Sequence, residues 1–207
     1  MNTKQAKQFR DLLLSYSQES NSESRQIIEE NLWKQYGTEQ VVFVLDMSGF
    51  SRLTRKHGIV HYLSMVRRMQ LIAEPIIETY EGMVIKFEAD NCFAIFEDTL
   101  PAINAAIALQ LAFNASNLLT SDDLDVHISC GIDYGKILIL ENEDFFGDPV
   151  NKACKLGEDV AASGEILVTR EAMQRVPPDA KIKSREANIS ISGISIPAYS
   201  IEYREQE

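Results

Sequence analysis

The chain has 207 residues, a length typical of one domain with room for a short appendage. Its composition, 45% hydrophobic and 25% charged, is that of a globular protein, and no apolar run approaches the ~20 residues that a membrane span requires. The net charge of −11 argues against a nucleic-acid partner, because such partners require a basic face toward the phosphates.

The first forty residues are polar and helix-prone, and a serine-rich stretch over residues 17–22 divides them. Their second half carries apolar residues at helical spacing, which predicts a short helix packed on the rest of the chain. We therefore predict a helical N-terminal appendage over residues 1–40 and a main domain over residues 41–207. No motif in the appendage indicates its function.

The main domain begins with a run of β-prone apolar residues, 41–45, which predicts a buried strand ending at Asp46. A long amphipathic helix follows, with an apolar stripe that includes Ile59, Tyr62 and Leu63. Two short strands, the first ending at Lys86 and the second starting at residue 91, are then joined by a tight turn.

The second half of the domain begins with a buried alanine-rich helix over residues 102–113. The β-prone stretch 126–140 is interrupted at residues 134–136, which favours a hairpin or a bulged strand. Asp148 followed by Pro149 predicts a helix start with the carboxylate as N-cap, and this helix should run to about residue 162.

A short strand over residues 166–168 and a closing hairpin around Gly193 complete the chain. The resulting order, β-α-β-β-α-β-β-α-β with a closing hairpin, predicts an α/β fold, an α+β sandwich with one mixed β-sheet flanked by helices. Cys92 and Cys130 lie among apolar residues and are interpreted as reduced and buried, so we expect a cytoplasmic protein.

Two aspartates stand out by their position in this fold. Asp46 ends the buried strand and precedes a turn, residues 47–50, whose backbone N–H groups could point at a phosphate. Asp90 lies in the tight connection between the next two strands. If those strands flank the first one, both carboxylates can hold a hard cation at one sheet edge. The alternative is that each aspartate only caps a turn.

A further polar group lies on the helix that follows Asp148. Asn151 and Lys155 are four residues apart, so they share a helix face, and an amide with a cation suits a phosphate. Alternatively the face is simply exposed and Lys155 pairs with Asp159, which spacing alone favours. His57 and His61 also have a chelating spacing, but no cysteine or third histidine is near, so we interpret them as solvated or capping.

Three segments taken together resemble the signature of class III nucleotide cyclases. They are DMSGFSRLT at residues 46–54, KFEAD at residues 86–90, and DFFGDPVN at residues 144–151. Their order and separations match that family's catalytic domain, and the similarity covers about residues 41–203. The resemblance implies the cyclase fold, with its ferredoxin-like, palm-type core.

The resemblance also implies a metal site. Asp46 and Asp90 would bind two Mg²⁺ or Mn²⁺ ions, which lower the pKa of the ribose 3′-hydroxyl and neutralise the triphosphate. The Met47 carbonyl would join them, and Phe50 matches the aromatic residue beside the metal aspartate. The backbone amides implied to lie near metal and phosphates are those of Met47, Ser48, Gly49 and Phe50.

Lys86 and Asp144 fall on the two positions that select the base in that family. A lysine can donate to adenine N1 and an aspartate can accept from the adenine N6 amino group, which implies ATP as substrate. Asn151 matches the asparagine that orients the ribose, and Lys155 falls on the position of a transition-state arginine. The implied reaction is attack of the ribose 3′-oxygen on the α-phosphorus, giving 3′,5′-cyclic AMP and pyrophosphate.

Homodimeric members of the family form each site between two subunits, with the metal aspartates from one and the base-selecting residues from the other. A single copy of each motif therefore implies a head-to-tail homodimer with two shared sites. The expected partners are a nucleoside triphosphate and a second copy, not a nucleic acid or a membrane. The alternatives are the same reaction on GTP, CTP or UTP, and a degenerate cyclase-like domain that binds without turnover.

The sequence departs from the family at three positions. Lys155 keeps the charge of the arginine but loses its planar fork. Ala89 replaces a usual glycine, which is tolerated at negative φ and strained at positive φ. Residues 192–193 stand where many members place a lysine that binds the terminal phosphates. Its possible substitutes are Lys181, Lys183 and Arg185.

Overall fold

One mixed β-sheet organises the chain in the computed structural model, which describes residues 3–140, 143–191 and 194–203. The strands are β1 (Gly37–Met47), β2 (Met83–Glu88), β3 (Asn91–Phe96), β4 (Ile128–Leu140), β5 (Asp144–Phe146), β6 (Ile166–Thr169), β7 (Ser184–Ile191) and β8 (Ile194–Ile201). The helices are α1 (Thr3–Gln18), α2 (Ser22–Tyr36), α3 (Phe50–His57), α4 (Ile59–Thr79), α5 (Thr99–Asn117), α6 (Asp148–Cys154) and α7 (Arg170–Met173).

The strand order is β2-β3-β1-β4-β6-β8-β7, with β5 paired to β4 beside this path. β1 lies between β3 and β4 and is antiparallel to both, whereas β4 and β6 run parallel. The predicted α+β sandwich on a mixed sheet is therefore confirmed, as are the predicted order of the elements and the closing hairpin. The turn of that hairpin, at residues 192–193, lies outside the described residues.

Both faces of β1 are buried, which explains why its sequence is continuously apolar instead of alternating. Val41, Phe43 and Leu45 pack into the large core under α4 and α5. Val42 and Val44 point the other way and pack with residues of β5 and α6. The central strand is thus fixed between two apolar layers, and its carboxyl end is held firmly enough to carry a site.

A close backbone approach holds the segment after α6 against the sheet. A Cβ atom at Gly157 would lie 3.1 Å from the Gly131 nitrogen and 3.2 Å from the Val44 oxygen. The Ser129 hydroxyl donates to the Gly157 carbonyl at 2.9 Å. Glycine at this position lets the segment rest directly on β1 and β4, which positions α6 beside the sheet edge.

Several local predictions were wrong. β1 begins at Gly37, four residues before the apolar run. β4 is continuous through Tyr134 and Gly135, because these residues pair with β1 instead of turning back. Ile59 and Leu63, assigned to the apolar stripe, are more than half exposed at 54% each.

The helix that starts at Asp148 also differs from its prediction. Its N-cap is Gly147, and the Asp148 carboxylate pairs with Lys152 at 2.8 Å instead of capping. The α-helical pattern ends at Cys154 and continues as a π-helix over Lys155–Val160. This wider turn changes the direction in which the side chains after Cys154 point.

The N-terminal residues form two helices: α2 is the helix that the apolar spacing predicts, and α1 precedes it within the polar, helix-prone stretch. Asn21 separates them and caps α2, because its side-chain oxygen accepts from the Glu23 and Ser24 amides at 2.9 and 3.1 Å. The division of the chain at residue 40 stays a prediction. Among the described helices, none combines the length and apolarity needed to cross a bilayer.

Candidate active site

The structure brings Asp46 and Asp90 to one edge of the sheet. Asp46 lies near the end of β1, directly opposite Asn91 of β3, and the β2–β3 turn places Asp90 beside it. The Met47 amide donates to the Asp90 carbonyl at 3.2 Å, which ties the two segments together. Of the two strands expected beside β1, β3 pairs with it directly and β2 lies on the far side of β3, and the turn between them still reaches the edge at Asp46.

The electrostatics show that the two carboxylates share one site. Burial, and then the charges of Asp90, Glu158 and Asp159, raise the pKa of Asp46 to about 7. Burial also raises the pKa of Glu158. Within the described residues, no lysine or arginine forms an ion pair with any of these four carboxylates.

This donor set fits a divalent cation. Mg²⁺ and Mn²⁺ prefer hard oxygen ligands. A bound cation would also neutralise the negative charge of the carboxylates and so remove their mutual repulsion. Asp46 and Asp90 are the residues that would hold it, with the Met47 carbonyl next to them in the chain.

Two contributors to this site were missed in the sequence. Glu158 belongs to none of the three sequence motifs, but the π-helix carries it toward Asp46. Tyr62 was assigned to the apolar stripe of α4. Its hydroxyl lies against Asp90, and burial together with that carboxylate raises the pKa of Tyr62. A tyrosine in an apolar stripe carries a polar tip, and this was the available signal.

The turn after β1 offers fewer free amides than predicted. The Met47 amide donates to Asp90, and the Ser48 amide donates to the His127 carbonyl at 2.8 Å. Of the four amides predicted to lie near phosphates, those of Gly49 and Phe50 remain as candidates. Gly49 adopts φ 93° as the N-cap of α3, and the first amides of a helix have no intrahelical acceptor. The Phe50 side chain lies outside the described part of the chain.

Ala89, the residue before Asp90, adopts φ 52°. This is the left-handed region, in which a Cβ atom costs about 1–2 kcal/mol. The sequence left open whether an alanine here has a negative φ, which is tolerated, or a positive φ, which is strained. The structure shows the strained case. The strain lies directly beside a predicted metal ligand.

A cavity of about 410 Å³ lies between β2, β5 and α6, within the size range of ligand pockets. Its lining residues are Lys86, Phe93, Asp144, Phe145, Phe146, Gly147, Val150, Asn151 and Cys154. Three residues assigned to the nucleotide by resemblance, Lys86, Asp144 and Asn151, thus meet in one cavity although 65 positions separate the first from the last.

Lys86 and Asp144 form an ion pair of 3.2 Å inside this cavity. Lys86 also contacts Glu88 at 2.7 Å, and its ammonium lies 5.0 Å from the centre of the Phe93 ring. Burial would lower the pKa of Lys86, but its hydrogen bonds to Glu88 and Asp144 outweigh burial and raise it. The Asp144 carboxylate accepts from the Phe145 amide at 2.9 Å, so both side chains are oriented before any ligand binds.

Lys155 does not line this cavity. It begins the π-helix and is half-buried. Among the described residues it forms no ion pair, so the simpler interpretation, a pair with Asp159, is wrong. Two of the substitutes for the missing lysine, Lys183 and Arg185, line a separate groove of about 1120 Å³ beside β6 and β8.

His57 and His61 meet Asp123, a residue that the sequence did not associate with them. One ligand atom from each lies within 4.8 Å of the others. The two imidazole rings stack at 4.5 Å, and His61 Nε2 lies 2.7 Å from the Asp123 carbonyl oxygen. The two histidines are far from Asp123 in the sequence, so the spacing of residues could not reveal this group.

Comparison with known proteins agrees with this architecture. No protein-family model matches the chain. A protein of Rhizobium meliloti (strain 1021) named "Putative adenylate cyclase 3" is 28% identical over 128 residues, which are 62% of this chain and 22% of that protein. Three uncharacterised mycobacterial relatives match over 33% of their length. The chain thus spans about a fifth to a third of these relatives.

Solved structures share the fold across most of the domain. The adenylate/guanylate cyclase/hydrolase of Silicibacter pomeroyi is 24% identical, with 80% of this chain and 96% of that one covered at a TM-score of 0.65. The adenylyl cyclase CyaB of P. aeruginosa is 19% identical, with 82% and 97% covered at a TM-score of 0.70. Guanylyl cyclases are among the similar structures as well.

The fold is therefore that of the class III nucleotide cyclase catalytic domain, and the resemblance carried by the three sequence motifs is confirmed. The chain is thus similar to class III nucleotide cyclases in its three motifs and in its fold.

Proposed function

We propose that this chain converts ATP to 3′,5′-cyclic AMP and pyrophosphate. The observation that supports this most directly is the ion pair between Lys86 and Asp144 in the cavity that also contains Asn151. An ammonium next to a carboxylate offers a donor beside an acceptor. Adenine presents the matching pattern, an acceptor at N1 beside a donor at N6, whereas guanine presents the opposite pattern at these positions.

In this proposal adenine replaces the direct contact between Lys86 and Asp144. Without nucleotide, Lys86 and Asp144 satisfy each other across 3.2 Å. Adenine inserted between them accepts a hydrogen bond from Lys86 at N1 and donates one from N6 to Asp144, and Glu88 keeps Lys86 paired during the exchange. Phe93 and Val150 supply apolar surface to the ring. A base with the wrong pattern would leave Asp144 without a partner and Lys86 paired with Glu88 alone, which penalises that base.

At the other half of the site, Asp46 and Asp90 hold Mg²⁺ or Mn²⁺. When bound, these ions neutralise the triphosphate and lower the pKa of the 3′-hydroxyl. The amides of Gly49 and Phe50 donate to phosphate oxygens at the start of α3.

The reaction forms the bond between the 3′-oxygen and the α-phosphorus and breaks the bond from that phosphorus to the pyrophosphate oxygen. The 3′-hydroxyl proton leaves to solvent. Asn151 orients the ribose for this attack, and the Lys155 ammonium stabilises the negative charge that develops on the phosphoryl oxygens. We place these two groups in catalysis and Lys86 and Asp144 in recognition.

The complete site requires two copies of the chain in this proposal. Each chain has one Asp46–Asp90 pair and one Lys86–Asp144 pair. A head-to-tail homodimer would join the aspartates of one copy to the base pocket of the other and give two equivalent sites.

The experiment is cyclic-nucleotide production by the purified protein with Mn²⁺, with ATP, GTP, CTP and UTP in separate reactions. Cyclic AMP should dominate. A different cyclic product would contradict the assignment of the base. Nucleotide binding with no product from any of the four would favour the alternative of a degenerate binding domain, for which the strained Ala89 and the lysine at 155 are the observations in favour.

A further inference from the structure

The strand that carries Asp144 is short and lies at the edge of the fold. β5 has three residues, and among the described strands it pairs with β4 alone, through Leu138↔Phe146, Ile139↔Phe145 and Leu140↔Asp144. We call this two-stranded segment the β4–β5 ribbon. A strand held by so few ladder hydrogen bonds is held weakly. The position of Asp144 therefore depends on what packs against the ribbon.

The two faces of the ribbon pack against different parts of the molecule. Ile139 and Phe145 pack toward the cluster around Val42 and Val44. Leu138 and Leu140 pack instead into the cluster formed by α1 and α2. Residues directly opposite each other in a ladder share a face, so the face turned toward the N-terminal helices also carries Asp144 and Phe146.

The main contact between the N-terminal helices and β5 is aromatic. The Phe9 ring of α1 stacks on Phe146 with 5.8 Å between ring centres, and it contacts Tyr36 of α2 edge-on at 5.0 Å. Phe9 is 4% exposed. Next to it, Arg10 pairs with Glu143 at 3.5 Å, one residue before Asp144.

Phe146 connects this contact to the nucleotide cavity. Its ring packs on Phe9, and the same side chain lines the cavity that contains Lys86 and Asp144. A change in the packing of α1 therefore reaches the cavity through one side chain, without passing through the core of the sheet.

We propose that Phe9 and Phe146 are positioning residues for recognition of the base: the hairpin of α1 and α2 holds the β4–β5 ribbon so that Asp144 stays within reach of Lys86. The inference rests on the proposed function and assigns a role to the N-terminal residues. Asp144 contacts the base and not the reacting atoms, so loosening the ribbon raises the KM for ATP and leaves kcat nearly unchanged.

The test compares three variants of the 207-residue chain. Phe9→Ala removes the stacked ring, and Phe9→Leu keeps apolar volume at the same place. Leu14→Ala is the matched control, because Leu14 lies on the same helix and is 55% exposed. We expect Phe9→Ala to raise the KM for ATP about tenfold with kcat within about twofold. Phe9→Leu should restore most of the KM, and Leu14→Ala should match the wild type.

Two kinetic outcomes would overturn the proposal. One is an unchanged KM in Phe9→Ala. The other is a loss of kcat that follows the loss of thermal stability while the KM stays constant, since the helices would then only support the fold.

A second readout separates this proposal from the proposed function. Amide hydrogen exchange in the nucleotide-free protein should become about tenfold faster in Phe9→Ala at residues 138–140 and 144–146, and should be unchanged in β3. If the wild type makes no cyclic nucleotide, the proposed function fails, and exchange still tests the coupling of α1 to β5. Unchanged exchange in the ribbon, or uniform acceleration across the sheet, would refute the coupling.

Discussion

The β2–β3 hairpin carries two sites that handle charge in opposite ways. At its turn, Asp90 meets Asp46, with Glu158 and Asp159 nearby, and burial together with these like charges raises the pKa values of Asp46 and Glu158. Farther back along β2, Lys86 lies between Glu88 and Asp144 in contacts of 2.7 and 3.2 Å. The first site is left with excess negative charge, whereas the second has its charges paired.

This difference indicates what each half requires of a ligand. The carboxylate site gains from any cation that neutralises it, because unpaired negative charge in a partly buried place is costly. In the proposed base pocket each charged side chain already has a partner, because Lys86 contacts both Glu88 and Asp144. A ligand must replace an existing ion pair there, so only a base with the complementary donor and acceptor compensates for the loss. We therefore expect the first half to set turnover and the second to set selectivity.

The largest effect should come from removing a carboxylate at the turn. Asp46→Ala should lower cyclic-nucleotide production by at least about 10³-fold, because the cation that neutralises the triphosphate loses a ligand. The fold should persist, as judged by circular dichroism. Asp179→Ala, which removes an exposed carboxylate elsewhere, is the control and should keep full activity. Undiminished activity in Asp46→Ala would remove Asp46 from the mechanism.

The base pocket should respond differently. Lys86→Ala should lower kcat/KM for ATP about 10²-fold and change that for GTP much less, since the donor to adenine N1 is lost and Asp144 is left unpaired. Lys136→Ala, at an exposed lysine of β4, is the matched control. Steady-state kinetics on both nucleotides measure the ratio. A variant that keeps the wild-type preference for ATP would show that Lys86 does not select the base.

Lys155 tests whether the charge or the shape of the family's arginine matters. Lys155→Arg restores the planar fork and should raise kcat up to about tenfold with little change in KM, because the gain occurs in the transition state. Lys152→Arg, at a lysine already paired with Asp148, should have no such effect. A lower kcat in Lys155→Arg would indicate that the geometry of the π-helix suits a lysine at this position better than an arginine.

The repulsion at the turn should be visible as a pH dependence of stability. The pKa of Asp46 in the folded protein, about 7, lies above its ordinary value of 3.8, so the folded state holds this proton more tightly. Its contribution to stability is therefore present at low pH and is lost as the pH rises from about 4 to about 7. Asp133, with a pKa raised by burial to about 6, acts in the same direction.

Asp46→Asn should accordingly reduce the fall in melting temperature between about pH 5 and pH 8 in the presence of a chelator. In the wild type, Mn²⁺ should also reduce this fall in melting temperature, because the ionised carboxylates gain a partner. Identical pH profiles of melting for the wild type and Asp46→Asn would contradict the raised pKa.

The smallest effect is expected beside Asp90. Ala89→Gly removes the strain of a Cβ atom at φ 52° and should raise the free energy of unfolding by about 1 kcal/mol. Chemical denaturation measures it. Ala161→Gly, at a position with ordinary negative φ, should destabilise instead. A loss of stability in Ala89→Gly would show that the turn is not held in the left-handed region.

Local patterns predicted the elements of the fold and the identity of the candidate residues. The β-prone apolar run at residues 41–45 predicted a buried strand, and the motif residues lie in short segments whose spacing a linear sequence records. The strain at Ala89 was left open, because the sign of φ depends on how β2 and β3 pair. The continuity of β4 through Tyr134 was missed for a related reason: pairing with β1 overrides a local turn signal.

The sequence by itself therefore determined which chemical groups the molecule carries and the order of strands and helices that presents them. The tertiary structure alone decided which of those groups meet. Lys86 and Asp144 come from strands that are far apart in the chain, Glu158 reaches Asp46 through a π-helix, and Phe9 reaches Phe146 across the N-terminal hairpin. Such contacts depend on long-range packing, which no local spacing records, because side chains distant in sequence become neighbours only when the sheet has formed.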